Sequence, residues 1–183
     1  MKIPAAALAF MLVLIARGNP NYQTSTHPHE QTGFYDSFPI EKPIAIPPAV
    51  STLILQTDDA KFVKSFNLEP EQLMEASEIH LGPNNEIHLF VRGIIPLSAA
   101  DHGWAWIIRH PYKNPEIVLF ADGNGFQFLT TKSHGYRDLV ASSAVASGFW
   151  VRDTFRFSNG EYKLWKHHEG QFHDPACGPH NAP

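Results

Sequence analysis

The sequence predicts a mainly β domain, an antiparallel sandwich or a bent-sheet, barrel-like domain, with one short helix. Three observations carry this. From Glu78 onward, about eight short runs of alternating apolar and polar residues recur at spacings of roughly 8–12 residues. Asp122-Gly123-Asn124-Gly125 and Asn159-Gly160 stand between such runs, and both are turn sequences. Aromatic residues make up 12% of the chain, a share that suits strands better than helices.

In chain order, residues 1–18 read as a cleavable secretory signal peptide. Lys2 supplies the positive end, Ile3 to Ile15 the apolar run, and Ala16-Arg17-Gly18 the small residues of a cleavage site. The run is short of the ~20 residues that span a bilayer. The expected location is therefore periplasmic or secreted, in a bacterium-like cell, with no membrane attachment after cleavage. Residues 19–48 are polar and proline-rich and read as an extended tether. Phe34, Tyr35, Phe38 and Ile40 give part of it the means to lie on the domain.

The β-rich domain is expected over 49–168. Val50–Gln56 is β-branched and apolar and reads as its first strand. A helix is expected next, capped by Asn67 or Glu69, with Pro70 in its first turn, Glu71 at its positive end and Leu73, Met74 and Ala76 carrying it to Ser77. Then come the strands: 78–82 and 86–93, paired across Pro83-Asn84-Asn85, then 103–110, 116–122, 126–133, 136–143, 149–158 and 161–168. Phe149, Val151, Phe155 and Phe157 alternate inward, against Arg152, Thr154 and Arg156 outward. Residues 169–183 read as a flexible, His-containing tail.

Net charge is −4 with a pI near 6.2. No basic field spans the chain, which argues against nucleic acid as a partner. Cys177 is the only cysteine, so an exported form has no internal disulfide and relies on packing.

Gly135-Tyr136-Arg137-Asp138-Leu139-Val140 and Phe155-Arg156-Phe157-Ser158-Asn159-Gly160-Glu161-Tyr162 carry a resemblance. Together they resemble a GYxDLV…YRFxGxxY pattern of uncharacterised exported bacterial β-rich proteins. More distantly they resemble half of an FG-GAP repeat of the integrin-type propeller. The resemblance spans about residues 80–166. It implies a β-rich exported domain, a ligand-binding or inhibitor-like module. The calcium loop of that repeat is not retained: Thr130-Thr131-Lys132-Ser133-His134 offers a lysine and no carboxylate to a hard cation.

Four sets of residues are candidates for chemistry. His167, His168, His173, Asp174, Cys177 and His180 are residue types that hold zinc or copper, although their spacing matches no standard motif; the alternative is a solvated polar tail. His27-Pro28-His29 is a weaker signal of the same kind. Asp122-Gly123-Asn124-Gly125 reads as a β-turn, because Phe126 and Ser133 occupy places where a calcium loop needs oxygen ligands. No hydrolase motif is present; Ser98, Asp101 and His102 are neighbours in sequence only. Asp153, inward by alternation, calls for a cationic partner such as Arg109, Arg137 or Arg152. Trp104, Trp106, Trp150 and Trp165 form either a surface for a protein or glycan ligand or a second core of a layered domain.

The leading expectation is a non-catalytic exported binding or inhibitor-like protein of the cell envelope or extracellular space, with no cofactor. The alternatives are an exported metal-binding protein that uses the C-terminal His/Cys cluster, and a hydrolase with an unrecognised site.

Overall fold

The computed structural model describes residues 32–35, 38–98, 103–145 and 148–171. They form two antiparallel sheets and one α-helix. The strands are β1 (Gly33–Tyr35), β2 (Met74–His80), β3 (Ile87–Gly93), β4 (Trp104–Arg109), β5 (Glu116–Asp122), β6 (Gly125–Ser133), β7 (Tyr136–Val145), β8 (Phe149–Ser158) and β9 (Glu161–Gln171). The helix, α1, is Pro48–Leu55. One sheet has the order β1-β6-β7-β8-β9, and the other runs β2-β3-β4-β5.

Two apolar clusters explain the layering. Phe34, Ile79, Phe90, Ile107, Phe128 and Leu139 belong to one, packed between the sheets. Leu89, Val91, Trp106 and Ile108 belong to the other, beneath Val50 and Ile54 of α1 and Val63 of a 3-10 segment. The smaller sheet is thus covered on both faces. β3 feeds Leu89 and Val91 into one core and Phe90 into the other, so it reads as a nearly continuous apolar run rather than an amphipathic strand.

Two expected elements change identity. Val50–Gln56 is not a strand but most of α1. Pro47 is its N-cap, Pro48 opens the first turn, and Val50 and Ile54, four residues apart, are its buried stripe. The expected helix from Asn67 or Glu69 to Ser77 is not formed. Glu69 and Gln72 do make a capping box, but only around a 3-10 turn at Pro70–Gln72. The chain then enters β2, whose seven residues each pair with β3. Sheet hydrogen bonding and burial of Met74, Ala76 and Ile79 outweigh a short helix that is marginal alone.

The domain's core also takes in residues ahead of 49. Phe34 and Ile40 are buried, and Ile44 makes a β-bridge with Ala76. Arg92, itself 5% exposed, staples this segment down. Its Nε donates to Glu75 at 2.9 Å, and Nη1 donates to the carbonyls of Tyr35 at 2.7 Å and Phe38 at 3.2 Å. The turn at Asp122-Gly123-Asn124-Gly125 carries the chain from one sheet to the other. Its amides at Gly123 and Asn124 bond to Gly103 and Ser142.

Candidate functional site

The outer face of the five-stranded sheet is built by alternation. β7 sends Leu139 and Ala141 into the core between the sheets, so Val140 and Ser142 point the other way. Thr154 lies opposite Val140, and Arg152 lies opposite Ser142. On the far side of β8, Lys166 faces Thr154, His168 faces Arg152 and Gly170 faces Trp150. Trp150, Arg152, Thr154, Arg156, Lys163, Lys166 and His168 therefore share one face of the β8–β9 ribbon.

A bulge adds Trp165 to that face. Phe155 pairs with Leu164 and Thr154 with Lys166, which leaves Trp165 as the extra residue. The Arg156 guanidinium carbon sits 3.4 Å from the Trp165 ring centroid, a cation–π contact that holds the indole on the outer side. Trp165 is still 55% exposed. Trp150 is seated differently. Its Nε1 donates to the Gln171 carbonyl at 3.2 Å. A Cβ placed on Gly170 would come within 2.5 Å of the indole, so the ring lies across the glycine. At ~3.3 Å rise per residue, the two indoles are roughly 15 Å apart along the ribbon.

Beneath Arg156 lies a buried acid. Asp138 is 2% exposed. Its Oδ2 accepts from Thr131 Oγ1 at 2.8 Å and is 3.7 Å from Arg156 Nε. Its Oδ1 makes no hydrogen bond, and neither does Arg156 Nε. Arg156 thus stands between a carboxylate below and an indole above.

The inner side of the same ribbon has the opposite charge. His167 Nδ1 is 2.5 Å from Asp153 Oδ1, and its Nε2 is 2.9 Å from Glu169 Oε1. Glu169 first, then Asp153, raise the imidazole pKa above its ordinary 6.5. Asp153 does have a basic partner, but it is His167 rather than one of the arginines.

The hairpin turns at one end of the sandwich bring together a second polar cluster. Tyr136 donates to Glu86 Oε2 at 2.8 Å, and His110 Nδ1 is 3.6 Å from Glu86 Oε1. His88 is fully buried, with Nδ1 at 3.1 Å from the Glu86 carbonyl and Nε2 unbonded. Burial pushes its pKa down. No solute reaches the His88 ring, which has no exposed surface, and the Tyr136–Glu86 bond ties two hairpins together. Alternation alone does not identify the cluster, since its partners come from three different turns.

The four tryptophans divide between layers. Trp150 and Trp165 share the outer face. Trp106, 1% exposed, is in the second core, and Trp104 packs edge-on against Phe62, Trp106 and Phe120. Trp106 is therefore not a ligand surface: the helical layer covers the sheet face onto which it projects. Of the expected metal set, His167 and His168 lie on opposite faces of β9, because neighbours in a strand point apart. His173, Asp174, Cys177 and His180 lie outside the described residues, as do Asp101, His102, His27 and His29. Among the described residues no group of three or more His, Cys, Asp or Glu side chains is arranged for a metal.

Comparison with known proteins finds no matching family model, no matching curated protein and no matching solved structure.

Proposed function

We propose that this chain is an exported, non-catalytic binding protein that holds a glycan chain along the outer face of its five-stranded sheet. One observation carries the reading: Trp150 and Trp165 stand on the same face of the β8–β9 ribbon, with hydrogen-bonding side chains between them. Indole faces stack against the C–H faces of sugar rings, and polar side chains take the hydroxyls. Both rings are held in place before any ligand arrives, Trp150 by its bond to Gln171 and Trp165 by Arg156, which lowers the ordering cost of binding. The surface between the rings is Arg152, Thr154, Lys166 and His168. A protein partner wants an apolar centre there, so a sugar polymer suits the face better. The leader-like residues 1–18 support export, where such polymers occur.

Affinity electrophoresis through gels containing soluble polysaccharides tests binding. The native chain is retarded by at least one polymer, and Trp150→Ala with Trp165→Ala abolishes the retardation. Gly170→Ala, which drives a Cβ into the Trp150 ring, weakens it. Equal retardation of the double variant, or none of the native chain by any polymer, rejects the proposal. Export is read separately: expressed with its leader, the protein outside the cytoplasm begins at Asn19.

A further inference from the structure

The geometry points to a polyanionic glycan, one bearing carboxylate or sulfate groups, with its anions held by Arg152, Lys166 and His168; this rests on the glycan reading above. The chain as a whole is acidic, with a net charge of −4, so its average charge argues against such a partner. Strand alternation reverses that locally. Arg152 and Asp153 are adjacent in sequence, as are His168 and Glu169, yet each pair splits across the ribbon. The acids turn to the inner side, where both hold His167. Arg152 and Lys166, with the His168 ring beside them, are left on the outer side.

On that side the register sets Arg152 directly opposite His168, and Lys166 opposite Thr154, one pair along. None of these three side chains makes an ion pair or hydrogen bond among the described residues. The other outer cations are engaged. Lys163 pairs with Glu161 at 3.3 Å, and Arg156 lies between Trp165 and Asp138. Thus the unengaged donors are confined to the stretch between the two indoles. A guanidinium there binds a carboxylate or sulfate through two parallel N–H bonds, and an ammonium adds a point charge beside it. A neutral sugar would use the tryptophans but leave this charge unanswered. An anionic one uses both.

The experiment measures binding of the full chain, by calorimetry, to three polymers of similar length: a neutral glucan, a polyuronate and a sulfated polysaccharide. Duplex DNA and anionic phospholipid vesicles serve as competing polyanions. An acidic glycan is expected to bind at least about tenfold more tightly than the neutral one, the scale of one charge-assisted contact. Its affinity falls as salt is raised. Arg152→Gln with Lys166→Gln, both at the surface, removes that preference while residual binding still depends on Trp165. The polyuronate and sulfate arms identify which anion is preferred. Equal binding of neutral and acidic polymers, unchanged in the double variant, overturns the polyanion inference but leaves the glycan reading standing. Absence of binding to all three polysaccharides defeats both. Binding of DNA or vesicles as tight as that of the acidic glycans, with the same dependence on Arg152 and Lys166, also overturns the inference, because the face then reads charge and not sugar.

Discussion

Replacing His88 by phenylalanine makes the domain more resistant to acid, relative to its own stability at neutral pH. The ring of His88 has no exposed surface, and its Nε2 has no hydrogen-bond partner. A proton placed there would be a buried charge without an acceptor, so burial depresses the folded-state pKa below 6.5. The unfolded chain carries no such penalty. As pH falls below 6.5, the unfolded state binds a proton that the folded state refuses, and stability is lost. The loss is at most RT ln(1 + 10^(6.5 − pH)), which is about 1.4 kcal/mol near pH 5.5 and under ~0.1 kcal/mol near pH 7.5. Phenylalanine keeps the edge-on contact with Tyr136 but loses the bond to the Glu86 carbonyl, at ~1 kcal/mol. That loss, and any strain from the larger ring, is independent of pH and cancels in the comparison. Urea unfolding of both proteins at about pH 7.5, 6.5 and 5.5 gives the difference directly. If the two stabilities run parallel through this range, the depressed pKa of His88 is refuted.

His167 has the opposite sign. Its pKa is raised by Glu169 and Asp153, so its contribution is complete below 6.5 and fades as pH rises through the raised value. A proton NMR titration is expected to place its midpoint above that of a model imidazole, and a midpoint below 6.5 would contradict the bridge. Arg92→Lys keeps the charge but not the fork that spans Glu75, Tyr35 and Phe38. It is expected to cost about 2–4 kcal/mol and to open residues 33–40 to limited proteolysis; a native cleavage pattern would speak against the staple. Gly160 has φ +90° after Asn159 at φ +54°, the primed turn that joins β8 to β9. Gly160→Ala should lower stability by ~1–2 kcal/mol, read from the urea midpoint, and an unchanged midpoint would show that the turn is not under that constraint.

Much of the sheet was legible from local pattern. The runs from Glu86 to His168 became strands, because two-residue alternation and the Asn159-Gly160 turn are decided within a few residues. Alternation against the inward Phe149 and Tyr162 also turns Trp150 and Trp165 outward, although the bulge that fixes Trp165 is invisible in one strand read alone. Where the sequence misled, the deciding contacts were distant. Val50–Gln56 has strand-like composition. It is a helix because Val50 and Ile54 have a sheet face to cover. The signals after Asn67 suit a helix, yet pairing with β3 draws Met74–His80 into a sheet. For Trp104 and Trp106 the sequence left a ligand surface and a second core both open, and only the helical layer, by burying Trp106, decides for the core.

By itself, then, the sequence determined the strand periodicity and the turns, because these follow from backbone geometry over short distances; it did not determine the outer placement of Lys166 and His168, which the bulge at Trp165 sets through pairing with β8. The tertiary structure alone decided which faces meet solvent. That outcome depends on which layers stack, a choice made by apolar surfaces far apart in the chain. The cationic stretch between two indoles exists for this reason: β8 and β9 pair in one register, and among the described residues no third layer covers them.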